Sequence, residues 1–541
     1  MLMGLMQHRA LTTAMLIDHT AGAHGATGIV TRDADGSIRR SDWATVARNA
    51  RCFAAALTAM GAQPGDRIAT LAWNRVEHLE LYYAISASGR VLHTVNPRLF
   101  PEQIAYILNH GGARIVCVDP DLVPVLAPLL PELPNIDTVI VLGAVPAELP
   151  DAHGYAEIIA ATPPLAAWPE IDENAAAALC YTSGTTGNPK GVLYSHRSSV
   201  LHAFCATSAD GMALSARDTV LVVTPLFHVN AWGIPFAAAM CGAKLVLPGP
   251  RLDGASIHAL LRDERCSFSL GVPTVWFAVL DHIEANVPRD EWRALALERV
   301  LAGGAAVPRA LVARFEAMLG VDLIQAWGMT ETSPLATVCR PLGRQRDLDI
   351  EARHDLAARQ GRPAFGIELR IEDEAGDPVA PDNSIGGALK VRGPWVISGY
   401  FGDEPGSALD SGGWFDTGDV ARLDADGFLQ LTDRAKDMIK SGGEWISSID
   451  LENAAVAHPG VAEAAVIGVP HPKWQERPLM LVRRAPGAGI DADELNAFLA
   501  ERVARWWLPD RIEFVEDLPH TATGKLLKTE LRRRYADALG G

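Results

Sequence analysis

The chain is 541 residues long, too long for one compact unit, so two or more domains are expected. Hydrophobic residues make up 48% and charged residues 21%, a globular balance able to bury a core without a disulfide or metal staple. A net charge of −17 disfavours nucleic acid and anionic membrane surfaces as partners.

In chain order, residues 1–18 hold His8 and Arg9 among short apolar stretches, without the charged start and continuous apolar core of a secretory signal. Residues 43–57 place apolar side chains at helical spacing and run on to Gly61, which predicts an amphipathic helix. Strand-like runs at 67–72 and 113–118 enclose a helix expected over 101–110. This alternation continues to about residue 340 and predicts layered α/β structure. From 367 to 431 the texture changes to short strands and turns, at 368–372, 387–392 and 427–431. After Asp433 the pattern reads helix 448–457, strand 462–469, helix 492–506, strand 511–515 and a basic helix from Lys525. The expected division is therefore 1–433 and 434–541. No run of about eighteen uncharged apolar residues occurs, so no membrane-crossing helix is expected. Seven cysteines stand singly with no CxxC pair, which predicts buried thiols in a reducing, cytoplasmic setting.

Four clusters carry chemistry. In Tyr181-Thr-Ser-Gly-Thr-Thr-Gly-Asn-Pro-Lys-Gly191 an apolar strand feeds a loop of glycines, hydroxyls and one lysine. Such a loop turns tightly and aims N–H groups, hydroxyls and an ammonium at a polyphosphate. It is not a Walker A loop, because Gly187 and Lys190 are separated by Asn-Pro; the plain alternative is a polar turn between strands. Gln325-Ala-Trp-Gly-Met-Thr-Glu-Thr-Ser-Pro334 offers Trp327 for stacking a purine, Thr330 for a phosphate oxygen and Glu331 as a hard ligand for Mg2+. Gly413-Trp-Phe-Asp-Thr-Gly-Asp419 and Asp433-Arg-Ala-Lys-Asp437 supply Asp419 and Arg434 for a ribose or phosphate. Thr521-Ala-Thr-Gly-Lys525 puts a lysine at a glycine-flanked tip, where solvated charge is the plain alternative.

In this order and spacing the clusters resemble the adenylate-forming superfamily of acyl-CoA synthetases, peptide-synthetase adenylation domains and beetle luciferases. The resemblance covers residues 43–531 and is nearest to bacterial fatty-acyl-CoA synthetases, through Pro225-Leu-Phe-His-Val-Asn-Ala-Trp232, Lys440-Ser-Gly-Gly-Glu-Trp-Ile-Ser-Ser448 and Pro470-His-Pro-Lys-Trp-Gln-Glu-Arg-Pro478. It implies a large N-terminal part of layered α/β sheets with a small β-barrel, and a small mobile α+β C-terminal part.

Residue by residue, the resemblance implies that Thr182, Ser183, Gly184, Thr185, Thr186, Gly187 and Lys190 hold the β- and γ-phosphates of ATP, with Thr182 and Glu331 at the Mg2+ positions. Gly304, Gln325, Ala326, Trp327 and Gly328 match the adenine pocket, Thr330 the α-phosphate contact, and Asp419 and Arg434 the ribose contacts. Ala326-Trp327 stands where the family commonly has Gly-Tyr, which adds a methyl and keeps the stacking face. Lys436 matches the hinge, Lys440 and Trp445 match groups that approach the adenylate, and Lys525 matches the lysine that assists adenylation. His228, Val229 and Trp232 match the acyl side, with Trp232 as an indole gate, and the acyl pocket is expected over 204–212 and 229–236.

The implied activity is ATP-dependent formation of an acyl-adenylate and then of an acyl-CoA from a medium- to long-chain fatty acid, in a homodimer. Short-chain, 3-methylthiopropionate and aryl acids are the alternatives, and a non-catalytic nucleotide-binding protein is a further one.

Overall fold

The computed structural model describes residues 1–182, 188–383, 385–441, 444–521, 525–536 and 538–539. Two large sheets form its N-terminal part. One has seven strands in the order His153–Gly154, Thr138–Val141, Ile115–Val118, Arg67–Leu71, Val91–Thr94, Ala176–Tyr181, Gly191–Ser195; all pair in parallel except the last two. The other has nine strands with a parallel centre built on Gly28–Arg32, Lys244–Leu247, Thr219–Val222, Phe268–Gly271, Arg299–Ala302 and Asp322–Gly328. Helices cover these sheets, so strands such as Ile115–Val118 and Val91–Thr94 are buried at every residue. Burial on both faces is why such strands read as continuous apolar runs rather than alternating ones.

The helix predicted over 43–57 forms as Trp43–Ala59, and its N-terminus is capped by the Asp42 carboxylate, which accepts from the Thr45 amide at 2.7 Å. Trp43, Val46, Ala50, Phe53 and Leu57 make its buried stripe, and the Trp43 indole also donates to the Ala243 carbonyl at 3.0 Å. The two large sheets are joined by a buried side chain as well as by packing. Asn74, in the loop after strand Arg67–Leu71, donates to the carbonyls of Val222 and Thr224 at 2.7 and 2.9 Å and accepts from the Leu226 amide at 2.7 Å.

The strand-rich region is a four-stranded antiparallel sheet, Glu368–Glu372, Gly387–Arg392, Phe415–Leu423 and Leu429–Arg434. Among the described residues it stays open where the sequence suggested a small barrel. A further sheet of five strands with its own apolar core (Ile439, Ile446, Leu451, Val466, Met480, Leu495) forms the C-terminal part.

Two predicted helices are shorter than expected. Residues 492–506 form helix Ala492–Ala500 and then a separate 3-10 turn at Arg505–Trp507, because Ala504 is extended and Pro509 holds Leu508 extended. The basic helix begins at Lys528 rather than Lys525. Lys525 is held in a turn instead: the Thr521 amide donates to the Lys525 carbonyl at 2.6 Å, and the Lys525 amide to the Thr521 hydroxyl at 3.1 Å. Replacing Asn74 with Ala strands three buried backbone groups, and should lower stability by roughly 2–4 kcal/mol. Urea denaturation followed by fluorescence measures this; a loss below about 0.5 kcal/mol would refute Asn74 as a tie between the sheets.

Candidate active site

A cavity of about 820 Å³ opens beyond the carboxyl ends of the strands of both large sheets, bounded on its far side by the C-terminal part. Clefts at this end of parallel strands are where open α/β sheets bind ligands, because chains leaving neighbouring strands diverge there. Strand Ala176–Tyr181 delivers Thr182 to it, Arg299–Ala302 delivers Gly303 and Gly304, and Asp322–Gly328 delivers Trp327 and the turn Thr330–Thr332.

At one end of the cavity Thr182 and Lys190 hold each other: the Thr182 amide donates to the Lys190 carbonyl at 2.9 Å, and the Lys190 amide to the Thr182 hydroxyl at 3.1 Å. The predicted phosphate ligands Ser183, Gly184, Thr185, Thr186 and Gly187 lie outside the described residues. The Lys190 ammonium sits 4.5 Å from the centre of the Tyr400 ring, whose hydroxyl donates to Glu331 Oε1 at 2.9 Å. The turn carrying Thr330 and Glu331 is pinned by the Tyr194 hydroxyl, which donates to the Thr330 carbonyl at 2.7 Å, and by the Ile397 amide on the Glu331 carbonyl at 2.9 Å. Tyr400 and Tyr194 were not legible as site residues, since neither sits in a chemically distinctive motif.

Behind the wall of the four-stranded sheet, Asp419, which does not itself line the cavity, is the register partner of Arg434, which does, and Arg434 Nε lies 2.6 Å from Asp419 Oδ1. The second carboxylate oxygen accepts from the Trp327 indole at 3.1 Å. Trp327 therefore presents a ring and also orients the carboxylate, which a Tyr or Phe lacking the indole N–H would not do. Asp419 is almost fully buried, and burial pushes its carboxyl above the usual carboxylate range while the Arg434 guanidinium opposes the shift. Gln325 is buried one residue before Ala326, and its Oε1 lacks a partner among the described residues.

Lys525 enters from the C-terminal part and lines the same cavity. A side chain at Gly304, whose φ is +79°, would reach within 3.8 Å of Lys525 Cε and 3.5 Å of the Trp232 ring, so glycine keeps the passage between them open. Burial lowers the Lys525 pKa to about 8; Arg434 pushes it the same way, and Asp419 and Glu331 oppose it. His228, beside it, is held neutral, with burial first and Lys525 second bringing it to about 3.

The segment expected to face the acyl group has an uncommon backbone. Val229, Asn230, Ala231 and Trp232 all have left-handed φ, from 46° to 56°, and Gly233 follows at 76°. Each such non-glycine residue costs roughly 1–2 kcal/mol, so the turn must be held by its surroundings. The Asn230 carbonyl oxygen Oδ1 accepts from the Tyr82 hydroxyl and the Cys180 thiol, both at 3.3 Å. Val229, Trp232 and Met212 line the cavity; Phe204, within the expected acyl segment, is exposed. Lys436 also lines it. Lys440 and Trp445 do not: they pair on the hairpin of strands Ile439–Ser441 and Glu444–Ile446, with the ammonium 5.2 Å from the indole centre.

Residues 18–401 match the AMP-binding enzyme family and residues 450–525 match the AMP-binding enzyme C-terminal domain. The chain belongs to the AMP-binding enzyme family. It is 47% identical to a medium-chain-fatty-acid–CoA ligase of Ectopseudomonas oleovorans over 99% of this chain and 98% of that one. It is 48% identical to a 3-methylmercaptopropionyl-CoA ligase of Ruegeria pomeroyi over 100% of both. The ATP-bound MatB structure from Rhodopseudomonas palustris superposes with a TM-score of 0.82 at 26% identity, over 97% of this chain and 99% of that one.

For this AMP-binding enzyme the lowered Lys525 pKa has a direct consequence. The ammonium is the form that stabilises anions, and it is lost as pH rises through about 8. The kcat/KM of acid activation should therefore fall above about pH 8, and Lys525→Arg should remove that limb while lowering the plateau. A basic limb unchanged in Lys525→Arg would assign it to another group.

Proposed function

We propose that the cavity converts a medium- to long-chain fatty acid to its adenylate and then to its coenzyme A thioester. The enzyme is an AMP-forming acyl-CoA ligase, whose substrates are a carboxylic acid, ATP and coenzyme A and which releases AMP and pyrophosphate. The observation that carries the residue-level reading is convergence: Lys190, Glu331, Arg434 and Lys525, spread over more than three hundred residues of sequence, line one cavity, and Asp419 lies behind its wall, paired with Arg434 and Trp327.

Attack of a carboxylate on the α-phosphorus brings two anions together, so the barrier is mainly electrostatic and no protein nucleophile is required. In this reading Lys525 neutralises the attacking and bridging oxygens, Thr330 donates to the α-phosphate, and Lys190 with residues 182–187 holds the departing phosphates. Asp419 and Arg434 fix the ribose, while Trp327 and the wall at Gly304, Gln325, Ala326 and Gly328 hold the base. His228, Val229 and Trp232 face the acyl group. The donor set fits magnesium: among the described residues no group of three or more His, Cys, Asp or Glu side chains forms a metal cage, whereas Glu331 and Thr182 line the cavity as hard oxygen donors. Such a site holds Mg2+ through one or two protein oxygens together with substrate phosphates, where the ion would neutralise developing charge.

For the second half-reaction, the parts 1–433 and 434–541 act as separate domains turning about Lys436, which withdraws Lys525 and brings Lys440 and Trp445 toward the thioester-forming centre. Among the described residues no helix is long and apolar enough to cross a membrane. A cytoplasmic homodimer is the assembly this reading takes, where ATP and coenzyme A are at hand.

Thioester formation should be measured with ATP and Mg2+ across acids from butyrate to palmitate, plus 3-methylthiopropionate. An optimum at medium or long chains is expected, with Lys525→Ala losing about two to three decades of adenylation rate. A 3-methylthiopropionate optimum would favour the second reading, which the equally similar Ruegeria relative supports.

A further inference from the structure

The turn that carries Lys525 is fastened across the hinge by a buried chain of polar groups that none of the roles above uses. Strand Leu429–Arg434 belongs to the four-stranded sheet, where Asp433 is the register partner of Val420. Helix Ser448–Val456 belongs to the C-terminal part, where Leu451 and Ala455 enter its apolar core. Between the two, Asp433 Oδ2 accepts from the Ser448 amide at 2.7 Å and from the Ser448 hydroxyl at 2.6 Å. The same hydroxyl accepts from the Lys528 ammonium at 2.5 Å, and Lys528 pairs with Glu452 at 2.7 Å. Beside this chain the Ser447 hydroxyl donates to the Thr432 carbonyl at 2.6 Å, and Arg532 pairs with Asp437 at 2.6 Å.

The donors and acceptors run in one direction, ammonium to hydroxyl to carboxylate, so the Ser448 hydroxyl links the Lys528 ammonium to the Asp433 carboxylate. Asp433, Ser447 and Ser448 are almost completely buried. Removing one member takes a hydrogen bond from a buried polar group that water cannot reach, and such networks act as a unit. Lys528 lies three residues past Lys525 at the first turn of helix Lys528–Arg534. Fixing its ammonium fixes the short stretch that aims Lys525 into the cavity. Lys528 borders the cavity too, but its ammonium is engaged by Ser448 and Glu452.

We propose that Asp433, Ser448 and Lys528 are positioning residues, a latch across the hinge that keeps Lys525 in the cavity and must open before the thioester step. The proposal rests on the reading that Lys525 serves adenylation alone. Asp433 contributes from the large part and the other two from the small part, so turning about Lys436 separates the carboxylate from the hydroxyl.

The test uses the full-length enzyme and separates its half-reactions: adenylate formation without coenzyme A, and thioester formation from supplied acyl-adenylate. Asp433→Asn, Ser448→Ala and Lys528→Met should each lower adenylation about ten- to a hundred-fold while leaving thioester formation equal or faster. Lys528→Arg should recover part of the loss, and Asp433→Asn/Ser448→Ala should be little worse than either single change. Tryptic cleavage after Arg434, Lys436 or Lys440 should accelerate in the latch variants, a readout independent of Lys525 chemistry. Equal loss of both half-reactions, or unchanged cleavage together with unchanged adenylation, would overturn the latch. Lys525→Ala, run alongside, separates the two ideas: loss of both half-reactions there would sink the role of Lys525, and the cleavage rates would still decide the latch.

Discussion

Burial makes the place occupied by the Lys525 ammonium a costly one for a cation, and the Arg434 guanidinium adds to that cost. Asp419 and Glu331 act in the opposite sense, so the proton is held at a pKa of about 8 rather than lost altogether. A charge in this condition is little solvated, and what it gains by meeting an anion is correspondingly large. The fold assembles this place from parts far apart in sequence. Glu331 comes from the end of a strand in the nine-stranded sheet, Asp419 and Arg434 from the four-stranded sheet, and Lys525 from the C-terminal part. Two sheets and the C-terminal part contribute, and the environment of the lysine is complete only when all three are docked.

In the proposed function, dependence on docking gives the small part a chemical role. A lysine built into the large part would remain in the cavity through every step; one carried on a separate part can be present for one step and absent for the next. The buried chain Asp433–Ser448–Lys528 makes the docked arrangement a defined state rather than a loose contact. The strained turn Val229–Trp232 is likewise held by its surroundings, where the Tyr82 and Cys180 contacts to Asn230 oppose a backbone cost of several kcal/mol. The indole N–H of Trp327 supplies a restraint on Asp419 that stacking alone would not.

Much of the fold was legible because its signals are local. The Asp42 cap and the apolar stripe from Trp43 to Leu57 identify their helix, and strands Glu368–Glu372, Gly387–Arg392 and Arg511–Val515 form where alternation or turns bounded them. Strands Phe415–Leu423 and Gln475–Arg484 were not identified, since each begins inside a polar motif that reads as loop. Helix Lys528–Arg534 starts late because Lys525 is committed to a turn with Thr521, a contact composition does not encode. Within the site, residues of distinctive motifs were legible, and the cavity receives Thr182, Lys190, Trp327, Glu331, Arg434 and Lys525. Tyr400, Tyr194, Asn230 and Ser448 were not, because their importance lies in long-range contacts. The open four-stranded sheet in place of a barrel likewise depends on pairing between strands that no single segment specifies.

In the proposed reaction an enzyme-bound acyl-adenylate forms before the thiol is involved. Exchange of labelled pyrophosphate into ATP, measured with a fatty acid, magnesium and no coenzyme A, tests it most directly. Acid-dependent exchange is expected, with Lys525→Ala slowing it by about two to three decades. Exchange that appears only when coenzyme A is added, or that persists undiminished in Lys525→Ala, would contradict it.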